Sequence, residues 1–283
     1  MKNSKLKIIF FGSSKHVIPI IEALNKNFDL FLVATTENVP TDPVVNFCRQ
    51  DSINCFSVSS LADDSFIRQI RSQKADLGVI ADFGIILASE VLEAFPKGII
   101  NIHPSLLPKY RGPTPVQTVI LNGDKVTGVT VIKIDEQIDH GPILYQEKVG
   151  IKPDETAEEL LSRLFEKASN LLSKTISDYI KGSLNLKNQI HKNATFTKRF
   201  TKKDGFVDPK NPPEKQKLDR MIRAYFPWPG VWSKFEIRNS KSEIIKLLPG
   251  SKIQISGKRP VSYKDFINGY EGGKEFLERL NLV

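Results

Sequence analysis

The feature that most constrains this chain is the alternation in its first half. Short apolar runs are separated by stretches in which apolar side chains recur at helical spacing. Lys5 to Phe11 reads as a first strand, ending in the tight turn Gly12-Ser13-Ser14. His16 to Leu24 follows, with Val17, Ile20, Ile21 and Leu24 on one helical face. Phe28 to Thr35 is continuously apolar enough to be a strand covered on both faces. The pattern repeats with a helix from Val44 to Arg49 and a short strand from Asn54 to Val58. A helix from Ser65 to Ser72 then follows the acidic starters Asp63 and Asp64, and Asp76 to Ala81 is the next strand. Strands and helices alternating at this length predict an α/β fold: an open, mostly parallel, doubly wound sheet.

The stretch Gly98 to Gln117, GIINIHPSLLPKYRGPTPVQ, supplies the fifth strand and the first candidate for chemistry. Alternate side chains of a strand share a face, so Asn101 and His103 emerge together where Pro104 and Pro108 break the backbone. Ligands of parallel α/β sheets bind just beyond the carboxyl ends of strands. Gly128 to Ile134 is the next strand and runs into Asp135-Glu136-Gln137-Ile138-Asp139-His140-Gly141-Pro142. After a strand from Ile143 to Val149, Pro153-Asp154-Glu155-Thr156 opens a long amphipathic helix that carries Leu160, Leu164, Ala168, Leu172 and Ile176. This closes a first domain over residues 1–182. Residues 183–213 are polar, basic and Pro-containing, as a linker is. Residues 214–283 form a small, mainly β domain: a helix from Leu218 to Tyr225, short strands at Trp232–Ile237, Glu243–Leu248 and Lys252–Ile255, and a short helix at Tyr263–Gly269.

Composition removes several classes. No apolar run approaches the roughly 20 residues of a membrane helix, and the run Ile8 to Phe11 is too short for a secretory leader. Cys48 and Cys55 are too few for a disulfide scaffold and lack metal-ligand spacing, which predicts buried thiols, no metal and a cytoplasmic setting. Gly12 stands without a G-x-G-x-x-G around it, so a nicotinamide cofactor is not supported. Charge is more telling. Residues 1–185 hold 20 Lys and Arg against 22 Asp and Glu, whereas residues 186–283 hold 21 against 10. A neutral body with a basic tail implies a polyanionic partner.

Asn101, His103 and Asp139 make a coherent set. A carboxamide donates to a developing oxyanion without changing its protonation. An imidazole titrates near neutrality, and a carboxylate can orient it and relay a proton. No Ser or Cys nucleophile with a partner base is evident, so direct attack by an amine on a carbonyl suits the set better than an acyl-enzyme. Spacing alone does not bring Asp139 to His103.

NIHPSLLPKYRGPTPVQ followed by TGVTVIKIDEQIDHGPIL resembles the signature of the formyltetrahydrofolate-dependent formyltransferases. The resemblance implies that Asn101, His103 and Asp139 stand at the catalytic positions, with 10-formyltetrahydrofolate as co-substrate. It also implies that Ser105, Leu106, Leu107 and Pro108 contact the folate, walled by Asp135, Glu136, Gln137 and Ile138. Ala81-Asp82-Phe83-Gly84-Ile85-Ile86-Leu87 resembles the other wall, which gives Phe83, Gly84, Ile85 and Ile86 as contacts; Phe83 stands where the family often has Tyr.

Ala194-Thr195-Phe196, Arg223-Ala224-Tyr225-Phe226-Pro227-Trp228-Pro229 and Gly257-Lys258-Arg259-Pro260-Val261-Ser262 are similar to the OB-like carboxyl-terminal domain of members acting on tRNA. This implies initiator methionyl-tRNA as acceptor, with an amino-sugar nucleotide as the alternative; a monomer with no membrane partner is a separate expectation. Two departures stand out. Thr36 to Pro43 is short and lacks Lys and Arg, where tRNA-acting members carry a longer basic insertion, and the second domain is shortened between Leu248 and Lys252. Both point to a different or weaker grip on tRNA.

Overall fold

The computed structural model describes residues 5–36, 41–58, 64–85, 89–237 and 241–283. The chain divides into two compact units, one of Met1–Pro113, Val126–Gly150 and Leu161–Phe196, the other of Thr114–Lys125, Ile151–Leu160 and Thr197–Val283.

The first unit is built on β1 (Lys7–Phe11), α1 (Ile18–Asn27), β2 (Asp29–Thr35), α2 (Pro43–Gln50), β3 (Cys55–Ser57), α3 (Asp64–Ser72), β4 (Leu77–Ile80), α4 (Ser89–Leu92) and β5 (Ile99–His103). α5 (Pro115–Asn122) belongs to the second unit; β6 (Val126–Lys133), β7 (Ile143–Gly150) and α6 (Ala157–Ile180) follow. The seven-stranded sheet runs β3-β2-β1-β4-β5-β6-β7. Pairing is parallel from β3 to β5, and β6 and β7 close it antiparallel.

Strand alternation explains the uninterrupted apolar runs. Ile8 and Phe10 of β1 face a core shared with Ile20 and Leu24 of α1, Val44 of α2 and Phe165, Leu172 and Ile176 of α6. Ile9 and Phe11 face the opposite core, with Phe66 and Ile70 of α3, Val91 of α4 and Phe95. These four apolar side chains of β1 are fully buried, each contributing about 1.5–3 kcal/mol of apolar transfer. Helices on both faces make the sheet doubly wound, as expected. Gly12 answers to a close approach: a Cβ there would lie 2.6 Å from the Ala81 carbonyl oxygen. Asp42 caps α2 by accepting from the Val45 N–H at 2.9 Å. Most of the expected short loop between Thr36 and Pro43, residues 37–40, lies outside the described residues.

The second unit adds α7 (Lys215–Tyr225), β8 (Val231–Ile237), β9 (Lys241–Leu248), β10 (Lys252–Ile255), β11 (Val261–Ser262), α8 (Tyr263–Gly269) and α9 (Gly273–Arg279). Its antiparallel sheet runs β11-β10-β9-β8, four strands among the described residues where an OB-fold barrel has five. Phe235 meets Phe266 and Phe276 edge to face, both at 5.2 Å between ring centroids, and closes this small core.

The stretch 183–213 is not a free connection. Residues up to Phe196 belong to the first unit and those from Thr197 to the second. Lys187 and Ile143 exchange both backbone hydrogen bonds, and the Arg111 N–H donates to the Thr195 carbonyl at 2.9 Å. Further on, Thr201 and Asp204 form a capping box, and the Val207 N–H donates to the Trp232 carbonyl at 2.9 Å. Hydrogen bonds order this segment, so apolar periodicity does not reveal it.

Candidate active site

β5 delivers the first two residues. Asn101 and His103 lie on the same face as Ile99, opposite Ile100 and Ile102. In the antiparallel register they pair with Ile132 and Thr130 of β6. Beyond the strand the chain doubles back, with Tyr110 and Gly112 in left-handed backbone at φ 62° and 101°.

That return fixes the imidazole. Nε2 of His103 lies 2.9 Å from the Tyr110 carbonyl oxygen. A carbonyl only accepts, so Nε2 carries hydrogen. Nδ1 then faces Asp139 Oδ2 at 3.5 Å, which is long for a hydrogen bond. The ring is therefore oriented by Tyr110, while Nδ1 is the nitrogen turned toward the carboxylate. His103 is only 4% exposed, so this geometry is shielded from bulk water.

Asp139 is gripped from two sides. Asn101 Nδ2 donates to Oδ1 at 3.1 Å, and the Gly112 N–H donates to Oδ2 at 2.7 Å. The structure thus brings Asn101, His103 and Asp139 together around one carboxylate, although 38 residues separate the amide from it.

Gln189, Arg111 and His191 complete the cluster and were not singled out by sequence. Gln189, 5% exposed, donates through Nε2 to the carbonyls of Asp139 at 2.9 Å and Gly141 at 2.8 Å. Its Oε1 accepts from Arg111 Nη2 at 2.7 Å, and the same nitrogen donates to His191 Nδ1 at 2.9 Å. Burial pushes the Arg111 guanidinium below its usual value, opposed by Asp139 and Asp135. His191 stacks on His140 at 3.9 Å, and His140 Nδ1 meets Asp135 Oδ2 at 2.7 Å. Desolvation first, then His140 and Arg111, hold the His191 imidazole below its ordinary pKa, the direction that keeps Nδ1 an acceptor. Arg111 lies in the quoted Tyr-Arg-Gly, but Gln189 and His191 sit in a segment whose composition signals a linker.

The segment expected to meet a folate is equally well anchored. Ser105 and Leu107 are buried, whereas Leu106 and Pro108 are half-buried. Thr130 Oγ1 donates to the Ser105 carbonyl at 2.6 Å and accepts from the Leu107 N–H at 3.2 Å and Gln146 Nε2 at 2.9 Å. Leu106 lies so close to Gly128 that a Cβ there would overlap it and the Glu147 carbonyl, which accounts for the glycine of Thr-Gly-Val-Thr. Glu136, Gln137 and Ile138 are exposed at the apex of the Asp139 loop, Ile138 by 58%, while Asp135 is half-buried. Phe83 and Ile85 pack half-buried on the second core, Phe83 edge-on to Phe11 at 5.7 Å. Gly84 is exposed, with open space where a Cβ would stand. Ile86 lies outside the described residues. Among the described residues no cluster of His, Cys, Asp and Glu is arranged to hold a metal, and no helix is long and apolar enough to cross a membrane.

A carboxamide donor, an imidazole and a carboxylate around one point suit attack of a nucleophile on a carbonyl carbon. The formyl transferase family profile matches residues 6–176. The methionyl-tRNA formyltransferase of Roseiflexus sp. (strain RS-1) is 37% identical over 236 residues, 80% of this chain and 72% of that protein. Its counterpart in Thermodesulfovibrio yellowstonii is 30% identical over 296 residues, 93% of this chain and 95% of that protein. Among solved structures, a 4-N formyltransferase from Francisella tularensis matches with a TM-score of 0.67 at 19% identity, covering 87% of this chain and 99% of that one. An N-formyltransferase from Helicobacter canadensis, solved with folinic acid and dTDP-3-aminofucose, matches with a TM-score of 0.63 at 20% identity, covering 89% and 96%. Such structural matches speak to the fold; the sequence matches speak to descent. With the profile spanning most of the first unit and relatives of one kind aligned over four-fifths of its length or more, the chain belongs to the formyl transferase family, on its methionyl-tRNA formyltransferase branch.

Proposed function

We propose that this protein transfers the formyl group of 10-formyltetrahydrofolate to the α-amino group of methionine esterified to initiator tRNA. The observation that carries this reading is the shared grip of Asn101 and Gly112 on Asp139, with His103 Nδ1 at 3.5 Å. The exposed apolar side chain of Ile138, the open space at Gly84 and the anchored turn at Ser105–Pro108 are each compatible with the folate contacts that the family resemblance implies.

The bound folate supplies a formyl carbon already attached to nitrogen. Asn101 commits one amide hydrogen to Asp139 and offers the other to the formyl oxygen, where negative charge develops. One such donor is worth about 2.7–4 kcal/mol in the transition state. His103, its Nε2–H fixed on the Tyr110 carbonyl, contributes through Nδ1, which donates to that oxygen in the doubly protonated ring. As the carbon–nitrogen bond to the methionine amine forms and that to the folate nitrogen breaks, one proton leaves the first nitrogen and one reaches the second. Asp139 holds that proton or hands it on through water. The excess of basic residues after Leu186 supports a polyphosphate acceptor.

Incubation with 10-formyltetrahydrofolate and either methionyl-tRNA or amino-sugar nucleotides tests the reading. Formylmethionyl-tRNA is the expected product. Formylation of the sugars alone would replace the acceptor, and formate release without an amine would replace the reaction class.

A further inference from the structure

The geometry points to Gln189 as the positioning residue for the Asp139 carboxylate. This rests on the proposed role of Asp139 and adds a residue from a different part of the chain. Asp139 sits in left-handed backbone at φ 49°, in a loop whose apex is exposed. A loop of this kind does not by itself hold a carboxylate to a fraction of an ångström. Two backbone carbonyls, of Asp139 and of Gly141, bracket the loop's return, and Gln189 Nε2 donates to both.

The opposite end of the same amide accepts from Arg111, the residue before Gly112. Gly112 in turn gives Asp139 its 2.7 Å hydrogen bond. One buried carboxamide therefore ties the peptide that carries the carboxylate to the peptide that grips it. Both hydrogens and the oxygen of that amide are used, so only one flip state satisfies all its partners. Gly141 must remain glycine for the same closeness, since a Cβ there would overlap the Lys133 carbonyl. Gln189 acts through Asp139, and a displacement of about 1 Å at such a group costs roughly 10²-fold in rate.

Two variants test the assignment. Gln189→Glu keeps an oxygen for Arg111 but turns acceptors toward two carbonyls; Gln189→Leu removes all the bonds. Formyl-transfer kinetics and thermal unfolding are measured for both. The expected result for Gln189→Glu is a native-like melting temperature, kcat lower by about 100-fold and KM for each substrate unchanged within about threefold. A crystal structure of either folded variant should show the Asp139–Gly112 hydrogen bond broken. A Gln189→Glu enzyme with wild-type kcat, or a variant structure with Asp139 undisplaced, would overturn the inference. A loss confined to KM would also overturn it. Absence of formyl transfer by the wild-type protein would instead strike the functional reading, and the variant structure would still decide the positioning role.

Discussion

The Asp139 carboxylate accepts a 2.7 Å hydrogen bond from the backbone N–H of Gly112. Its orientation therefore depends on a main-chain donor, which only proline at position 112 would delete outright. With Asn101 Nδ2 on the other oxygen, both carboxylate oxygens face donors.

This makes Asp139→Asn a sharper test than Asp139→Ala. Asparagine tolerates left-handed backbone, so the loop should keep its path. An amide, however, must turn its NH₂ toward either Gly112 or Asn101, both donors. Turnover should fall by about 10²–10⁴-fold, the range for loss of acid–base assistance. Steady-state kinetics beside unchanged thermal unfolding checks this.

Asn101 and His103 should behave as one unit. Asn101→Ala should cost about 10²–10³-fold in kcat, as loss of one oxyanion donor does. His103→Ala should cost more than about tenfold and, on the proposed mechanism in which both act on the same developing charge, the double variant should cost less than the product of the two. A fully multiplicative double variant would assign them to separate steps.

Two glycines should respond oppositely to alanine. At Gly128 a Cβ overlaps the Glu147 carbonyl and Leu106, so Gly128→Ala should destabilise by about 1–3 kcal/mol and perturb the Ser105–Pro108 turn. At Gly150, at the end of β7, nothing lies within 4 Å of the added methyl, and Gly150→Ala should be neutral or stabilise by up to about 1 kcal/mol. Urea unfolding of both variants checks the contrast.

Asp204 provides a pH-dependent contribution. Hydrogen bonds from Thr201 and Lys198 lower its carboxyl from 3.8 to about 2. A depressed folded-state value means the stabilisation is present in full above the unfolded value and is lost as pH falls toward 2. Asp204→Asn should therefore melt earlier than wild type at neutral pH, with the gap closing as pH drops from about 4 toward 2. A gap independent of pH would exclude this origin.

If the acceptor is a tRNA, KM for it should rise steeply between about 50 and 200 mM salt while KM for the folate changes little. Equal salt responses would argue against contacts to the polyphosphate backbone.

Most of the sheet was legible in advance because apolar runs and helical spacing report burial directly. β1, β2, β4 and β5 fall within the expected segments, and so do the faces of α1 and α6. α4 and β11 are too brief to show a period, whereas α5 and α9, absent from the expected elements, do bury residues at helical spacing, Val116, Val119 and Ile120 in one and Gly273, Phe276 and Leu277 in the other. Asn101 and His103 were legible from strand alternation, whereas the approach of Asp139 depended on a resemblance, since a 38-residue separation has no local signature. Gln189 was invisible because its value lies in hydrogen bonds, and a polar, basic stretch reads as solvent-facing whether or not one amide in it is buried.

Thr130 carries a consequence of its own. Its single oxygen gives one bond and receives two, which uses the full capacity of a hydroxyl. Through that atom, and by a direct bond from Gln146 Nε2 to the Leu107 carbonyl at 2.9 Å, the Ser105–Pro108 turn is wired to the outermost strand. Valine has nearly the same outline and could fill the space, yet it would cut all three connections at once. Drift in the sequence at the sheet's far border can thus be felt at the Ser105–Pro108 turn, across an intervening strand.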